Sequence, residues 1–255
     1  MTNENICGLA SKCKKAGDER YCNNLCFPFV RMYGESGTGG VVGIAGIPKA
    51  YRKSRVDNLP FKDSNKDAYK FIRLFCKQVV EKVNDGIGLY LFSIPNASNR
   101  KGTGTGKTTG ATAILNEYIA ERVILETKKQ TQISDIVGMF VSVSKFQNTY
   151  NAQFRGTKEL QDKASETYYS CKGRMCTVPL LLLDDIGIRD ATEAFKNEFY
   201  EIIDSRSAEQ LSTLYTSNVP LEKLSTMLDE RIVSRIEGST YQLPFVGSDH
   251  RKVAL

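Results

Sequence analysis

The chain has 255 residues, 41% hydrophobic and 25% charged, the balance of a folded globular protein rather than of a disordered tail or a fibre. No apolar run approaches the roughly 20 residues that span a bilayer, and the opening stretch MTNENICGLASKCKK lacks the apolar centre of a secretory signal, so a cytoplasmic protein without a membrane partner is expected. A net charge of +6 suits an acidic partner such as nucleic acid, and equally suits an ordinary solvated surface.

Four of the seven cysteines, Cys7, Cys13, Cys22 and Cys26, crowd the N-terminus with the spacing C-x5-C-x8-C-x3-C. Without a secretory signal, such a cluster points to thiols or metal rather than disulfides. Zinc held by four thiolates can organise a module too small to bury its own core, so residues 1–33 are expected to form a zinc-binding module. The spacing is not a paired C-x-x-C arrangement, which leaves free or partly oxidised thiols as the alternative. Cys76, Cys171 and Cys176 read as packing residues. The glycine-rich stretch GESGTGGVVGIAG (Gly34 to Gly46) reads as a flexible linker, leaving 47–255 as the main domain.

Next comes GLYLFSI (Gly88 to Ile94), an apolar and aromatic run with strand character. The loop PNASNRKGTGTGKTT follows it, and then Ala111, Ile114, Leu115, Tyr118 and Ile119 recur at helical spacing. Strand, glycine-rich turn and helix in this order make an anion cradle, because backbone N–H groups converge where the helix N-terminus adds partial positive charge. Gly102, Thr103, Gly104, Thr105, Gly106, Lys107, Thr108 and Thr109 are the candidate nucleotide-binding residues. Lys107 is suited to the β- and γ-phosphates and Thr108 to Mg²⁺. The signature G-x-x-x-x-G-K-[ST] asks for glycine at 101, where this chain has lysine, so a flexible basic linker competes with this reading.

VPLLLLDDIG (Val178 to Gly187) reads as a fully buried parallel strand whose end delivers two carboxylates beside the phosphate loop. Asp184 is assigned to the Mg²⁺ shell and Asp185 to polarising the attacking water; capping of the helix that follows is the plainer alternative. QLSTLYTSNVP is a further strand ending in Thr216, Ser217 and Asn218. Asn218 either reaches the γ-phosphate side of the water or is a turn residue before Pro220. The helical stretch LEKLSTMLDERIVSRIEG sets Arg231 and Arg235 on one face, as surface charge or as an arginine offered to a neighbouring subunit's nucleotide.

GTGTGKTT, LLLLDDIG, FYEIIDSR, YTSN, DERIVSRIEG and FVGSDHRK occur here in the order seen in DnaC/DnaI-type helicase loaders, a branch of the AAA+ ATPases that also includes the IstB transposition helpers. The chain resembles that family from about Ile47 onward. The resemblance implies an α/β fold, an AAA+ P-loop ATPase core with a central parallel sheet flanked by helices. It implies Walker A at Lys107 and Thr108, Walker B at Asp184 and Asp185, sensor I at Asn218, an arginine finger at Arg235 and a sensor II-like arginine at Arg251. The chain ends soon after Arg251, so no C-terminal lid domain is expected. The cysteine-rich start resembles the zinc-bearing, helicase-binding domain of DnaI-type loaders in a shorter form that suits a phage or mobile-element version.

The function implied is that of an ATP-hydrolysing loader with ATP, Mg²⁺ and Zn²⁺ as cofactors. It would assemble as a homo-oligomer through its ATP interfaces, grip the replicative hexameric helicase, and deliver it to single-stranded DNA at the start of DNA replication. The same motor would also serve an IstB-type helper acting on duplex DNA with a transposase. Lys128, Lys129 and the basic stretch from Lys145 to Lys163 are candidates for backbone contacts with DNA. Tyr150, Phe154, Tyr168 and Tyr169 suit either base stacking or the core.

Overall fold

The N-terminal helices α1 (Phe27–Tyr33) and α2 (Gly40–Ile44) precede α3 (Lys66–Lys77) and α4 (Val79–Asn84), which lead into β1 (Gly88–Ser93). The chain continues through α5 (Lys107–Thr127), β2 (Gly138–Ser142), α6 (Val143–Ala152), α7 (Lys158–Thr177), β3 (Leu180–Asp184) and α8 (Glu193–Ala208). It closes with β4 (Ser212–Ser217), α9 (Leu221–Leu224), α10 (Glu230–Ser239) and β5 (Thr240–Phe245). This computed structural model describes residues 2–97, 99, 100, 102–187, 191–247, 249 and 250.

The strands form one sheet in the order β2-β3-β4-β1-β5, and every neighbouring pair is parallel. Parallel neighbours require long crossovers, and here helices supply them on both faces. Leu180 and Leu182 pack into one core and Leu181 and Leu183 into the other, which is why β3 reads as unbroken leucine rather than as an alternation. Leu89 and Leu91 of β1 share the first core with Ala111, Ile114, Leu115 and Tyr118 of α5. Tyr90 shares the second with Phe195 and Phe199 of α8 and Ile232 and Ile236 of α10.

The connection leaving β1 therefore covers one face, while those leaving β3 and β4 cover the other. β1 and β4 are neighbours, so their carboxyl ends diverge and leave a crevice between them, the place where open α/β sheets bind ligands. Helix starts are fixed locally. The Thr192 hydroxyl accepts the Phe195 N–H at the head of α8, and the Asp229 carboxylate accepts the Arg231 N–H at the head of α10.

The N-terminal segment packs on the face covered by α5. Leu9, Phe29, Met32 and Tyr33 are buried in the same core as α5. The stretch 34–46, read as a linker, carries α2, whose Val41 and Val42 enter that core together with Ala45. The Ala45 carbonyl accepts the Phe140 N–H at 2.8 Å, covering part of the edge of β2. Arg31 reaches across to Glu126 at 3.0 Å and Asp135 at 2.8 Å, and Lys12 pairs with Glu117 and Glu121 of α5.

Arg206 is 1% exposed, deep between α8 and the sheet. Its guanidinium donates to Thr213 Oγ1, to the Met175 and Val178 carbonyls and to the Ser212 carbonyl, tying the end of α7 to the starts of β3 and β4. Burial pulls its pKa down to about 10. Among the described residues no helix is long and apolar enough to cross a membrane.

Candidate nucleotide-binding site

Gly106 turns the loop after β1 into α5. It sits at φ 99°, and a side chain there would strike the Phe61 ring at 2.3 Å, so both conformation and space demand glycine. The loop is braced from within. Asn99 Nδ2 donates to the Thr103 carbonyl at 2.7 Å, and the hydroxyls of Thr105 and Ser93 lie 3.0 Å apart. The first-turn N–H groups of α5, from Lys107 through Thr109, face back into this loop as in an anion site.

Lys107 is 7% exposed. Its ammonium donates to Ser93 Oγ at 2.5 Å, to Asn218 Oδ1 at 3.0 Å and to the Gly102 carbonyl at 3.3 Å. Thr108 Oγ1 donates to Asp184 Oδ1 at 2.7 Å, and Thr216 Oγ1 donates to the same oxygen at 2.7 Å. The Asp185 N–H donates to Thr216 Oγ1 at 2.9 Å, while Asn218 Nδ2 donates to Asp185 Oδ1 at 3.1 Å. Asp185 has φ 59°, a left-handed conformation uncommon outside glycine and a cost tolerated mainly where geometry matters for function.

The sheet order explains this convergence. β4 lies between β1 and β3, so one step in either direction brings the ends of all three strands together. Lys107, Thr108, Asp184, Asp185 and Asn218, five of the residues singled out from sequence, thus form one hydrogen-bonded constellation. Ser93 and Thr216 belong to it too. The sequence reading names Thr216 only as part of a polar trio and takes Ser93 in as one residue of the strand Gly88 to Ile94. The signal for both is a polar side chain at the end of an apolar strand, which acquires meaning only once the strand order is known.

Arg235 lies on a different surface, half-exposed on α10, where its Nε donates to Asp204 Oδ1 at 2.9 Å. Arg231 grips the Asp229 carboxylate with Nε at 3.0 Å and Nη2 at 2.8 Å, and its hydrogen bonds hold that carboxyl down at about 2. Its guanidinium also lies 4.6 Å from the centre of the Tyr200 ring. Arg251 falls outside the described residues. Of the four aromatics considered for stacking, Tyr168 is fully buried, stacked on Phe146 with its hydroxyl on Glu198, and is a core residue. Phe154 and Tyr169 are exposed.

Cys7, Cys13, Cys22 and Cys26 all line one cavity of about 570 Å³ beside α5. Burial pushes the Cys7 thiol up, and its neighbours Cys26, Cys22 and Cys13 push the same way. Soft sulfur donors facing one cavity are the chemistry zinc takes. As they stand, however, no three His, Cys, Asp or Glu side chains among the described residues are grouped closely enough to hold one ion.

No family model matches the chain. A replicative helicase loader DnaC from Buchnera aphidicola subsp. Acyrthosiphon pisum is 25% identical over 213 residues, covering 83% of this chain and 75% of that protein. A crystal structure of the DnaC helicase loader matches 78% of this chain and 99% of its own at a TM-score of 0.53 and 25% identity. A crystal structure of DnaI matches 80% of this chain and 94% of its own at a TM-score of 0.56 and 22% identity.

Proposed function

The chain is a relative of the DnaC-type replicative helicase loaders, and from that premise we propose that it is an ATP-dependent loader. It binds the replicative hexameric helicase and delivers it to single-stranded DNA in the cytoplasm at the start of DNA replication. The observation that carries this reading is the joining of Lys107, Thr108, Asp184, Asp185 and Asn218 in one hydrogen-bonded set on a chain related to such loaders.

In this reading, the backbone from Gly102 to Thr109 and the Lys107 ammonium bind the phosphates of ATP. Thr108 Oγ1 and Asp184 Oδ1 are the hard oxygen donors suited to Mg²⁺, which supplies charge neutralisation when bound. Asp185 polarises the attacking water, and Asn218, already bonded to both Lys107 and Asp185, orients it. Arg235 is offered to the ATP of an adjoining copy in a homo-oligomer, leaving Asp204 to do so, and Arg251 serves beside the phosphates of its own copy. Residues 1–33 form the helicase-facing module, with 34–46 joining it to the ATPase domain 47–255. Cys7, Cys13, Cys22 and Cys26 are proposed as its zinc ligands because they share one cavity; metal analysis should find about one zinc per chain. No specific observation favours an IstB-type role with a transposase.

The test is to mix the full chain with its host's replicative helicase, with and without ATP, and to follow complex formation and helicase transfer to single-stranded DNA. Removing 1–33 would take Leu9, Phe29, Met32 and Tyr33 out of the core shared with α5 and uncover the apolar side chains they pack on, so point variants are the cleaner probe. Leu25 is 91% exposed and Phe27 56% exposed. Leu25→Glu with Phe27→Glu should abolish the complex while leaving the fold intact. An unaltered complex sinks the assignment of 1–33, and no complex at all sinks the loader reading.

A further inference from the structure

Helix α3 buries one face and leaves the other bare. Ala68, Ile72, Phe75 and Cys76 pack into the core beneath it. Lys66, Lys70, Arg73 and Lys77 are all exposed. Their spacing of four, three and four residues sets them within a sector of about 60° on the outer face, with neighbours about 5 to 6 Å apart along the helix axis.

Elsewhere, surface lysines find carboxylates one turn away. On α7 Lys158 meets Asp162 at 2.7 Å, and on α8 Lys196 meets Glu193 at 2.7 Å. The α3 row does not. Asp67 stands three residues from Lys70 and Glu81 four from Lys77, yet among the described residues no carboxylate lies within ion-pair distance of any of the four cations. Like charges three and four residues apart destabilise a helix, and Lys66, the first residue of α3, also opposes the helix dipole. An anion laid along the row relieves both.

An apolar strip borders the row. Leu74 is 62% exposed, and next to it around the helix Phe71 meets the ring of Tyr241, 48% exposed on β5, edge to face with 6.0 Å between centres. Asp67 shares that flank only in the first turn, so the bordered row is clear of acids from Lys70 to Lys77. A cationic track beside exposed apolar and aromatic side chains suits a single strand, whose phosphates follow the charges while its bases lie on the border. A duplex keeps its bases stacked inside and leaves such a border unused.

On the reading that the chain delivers a helicase to single-stranded DNA, we propose that the outer face of α3 and Tyr241 hold that strand, the four cations on its backbone and Tyr241 under a base. The basic residues singled out from sequence, Lys128, Lys129 and those of 145–163, lie at the end of α5 and on α6 and α7, away from this helix.

Lys66→Gln, Lys70→Gln, Arg73→Gln and Lys77→Gln combined remove the charges and keep good helix formers. Fluorescence anisotropy of a labelled oligothymidylate, followed against salt concentration, compares the full chain with this variant. The variant should bind at least about tenfold more weakly at low salt, and the slope of log affinity against log salt should flatten by about 3, the counterion release of four backbone contacts with a single strand. Tyr241→Ala should bind at least about fivefold more weakly with the slope unchanged, the loss of one stacked base. An unchanged slope in the fourfold variant overturns the track, and unchanged affinity in Tyr241→Ala overturns the base contact. A fourfold variant weakened on duplex DNA but not on oligothymidylate, or polyglutamate that competes as well as oligothymidylate, assigns the face to a duplex or to an acidic protein and overturns the single strand. Wild type that binds no oligothymidylate overturns the reading beneath the proposal. Should the fourfold variant not fold, Lys66→Gln with Lys70→Gln and Arg73→Gln with Lys77→Gln should each flatten the slope by about half as much, and no flattening in either sinks the proposal.

Discussion

Lys107 and Asn218 are joined by a 3.0 Å hydrogen bond between the tip of the phosphate loop's lysine and the carboxamide closing β4. The other end of that carboxamide donates to Asp185. One asparagine therefore spaces the cation that binds phosphate from the carboxylate proposed to polarise water. Asn218→Ala should lower steady-state ATP hydrolysis by about a hundredfold, the usual cost of losing one positioned polar group at a reacting phosphoryl, while ATP affinity changes by less than about threefold. Hydrolysis and equilibrium binding measured side by side check this; equal losses in both would assign Asn218 to binding alone.

Thr216 holds both carboxylate-bearing residues at once, through Asp184 Oδ1 and the Asp185 N–H. It is 1% exposed. Thr216→Val keeps the shape and removes the hydroxyl, leaving the Asp185 N–H without this acceptor. Denaturant unfolding should show a loss of about 1–3 kcal/mol, and hydrolysis should need more Mg²⁺ to reach its plateau. An unchanged Mg²⁺ requirement would deny Thr216 any part in setting Asp184.

An arginine acting across a subunit boundary has a signature that a surface arginine lacks. Arg235→Ala should bind ATP and hydrolyse it poorly, and Lys107→Ala should fail to bind it. Mixing the two inactive proteins should restore measurable hydrolysis, because some interfaces then pair an intact loop with an intact arginine. No recovery in the mixture would leave Arg235 as the surface partner of Asp204 seen within the chain.

The N-terminal segment is held to α5 by two cations of unequal surroundings. The Arg31 side chain is 20% exposed and also donates to the carbonyls of Ile133 and Ser134, whereas Lys12 is 34% exposed. Charge-assisted bonds to a mostly buried guanidinium outweigh a screened surface pair, so Arg31→Ala should cost about 2 kcal/mol and Lys12→Ala less than about 1. Thermal melts of the two variants give the ranking, and the reverse order would mean that Lys12 is the anchor.

The parts of this site legible in sequence are those whose chemistry dictates residue type over a short span. A phosphate cradle needs glycines, a lysine and a hydroxyl in succession, and GTGTGKTT supplies them although Lys101 stands where the signature asks for glycine. LLLLDD announces a strand buried on both faces and ending in carboxylates for a similar reason. Ser93 and Thr216 were not legible, because a polar residue ending a strand gains its partner from the neighbouring strand, and neighbours follow from topology. The same holds for Arg206. FYEIIDSR marks it as part of a family pattern, but its task of satisfying carbonyls at the end of α7 and the start of β4 depends on contacts across the fold. The packing of α2 was hidden by its glycines, which read as a linker while Val41, Val42 and Ala45 carry the apolar side.

Direct calorimetric titration of the full chain with ATP and Mg²⁺, repeated on Lys107→Ala, probes the claim on which the rest stands. Saturable binding at about one nucleotide per chain, lost by at least about a hundredfold in the variant, is the predicted result. Undetectable uptake by the wild type, or equal affinity in the two proteins, would contradict it.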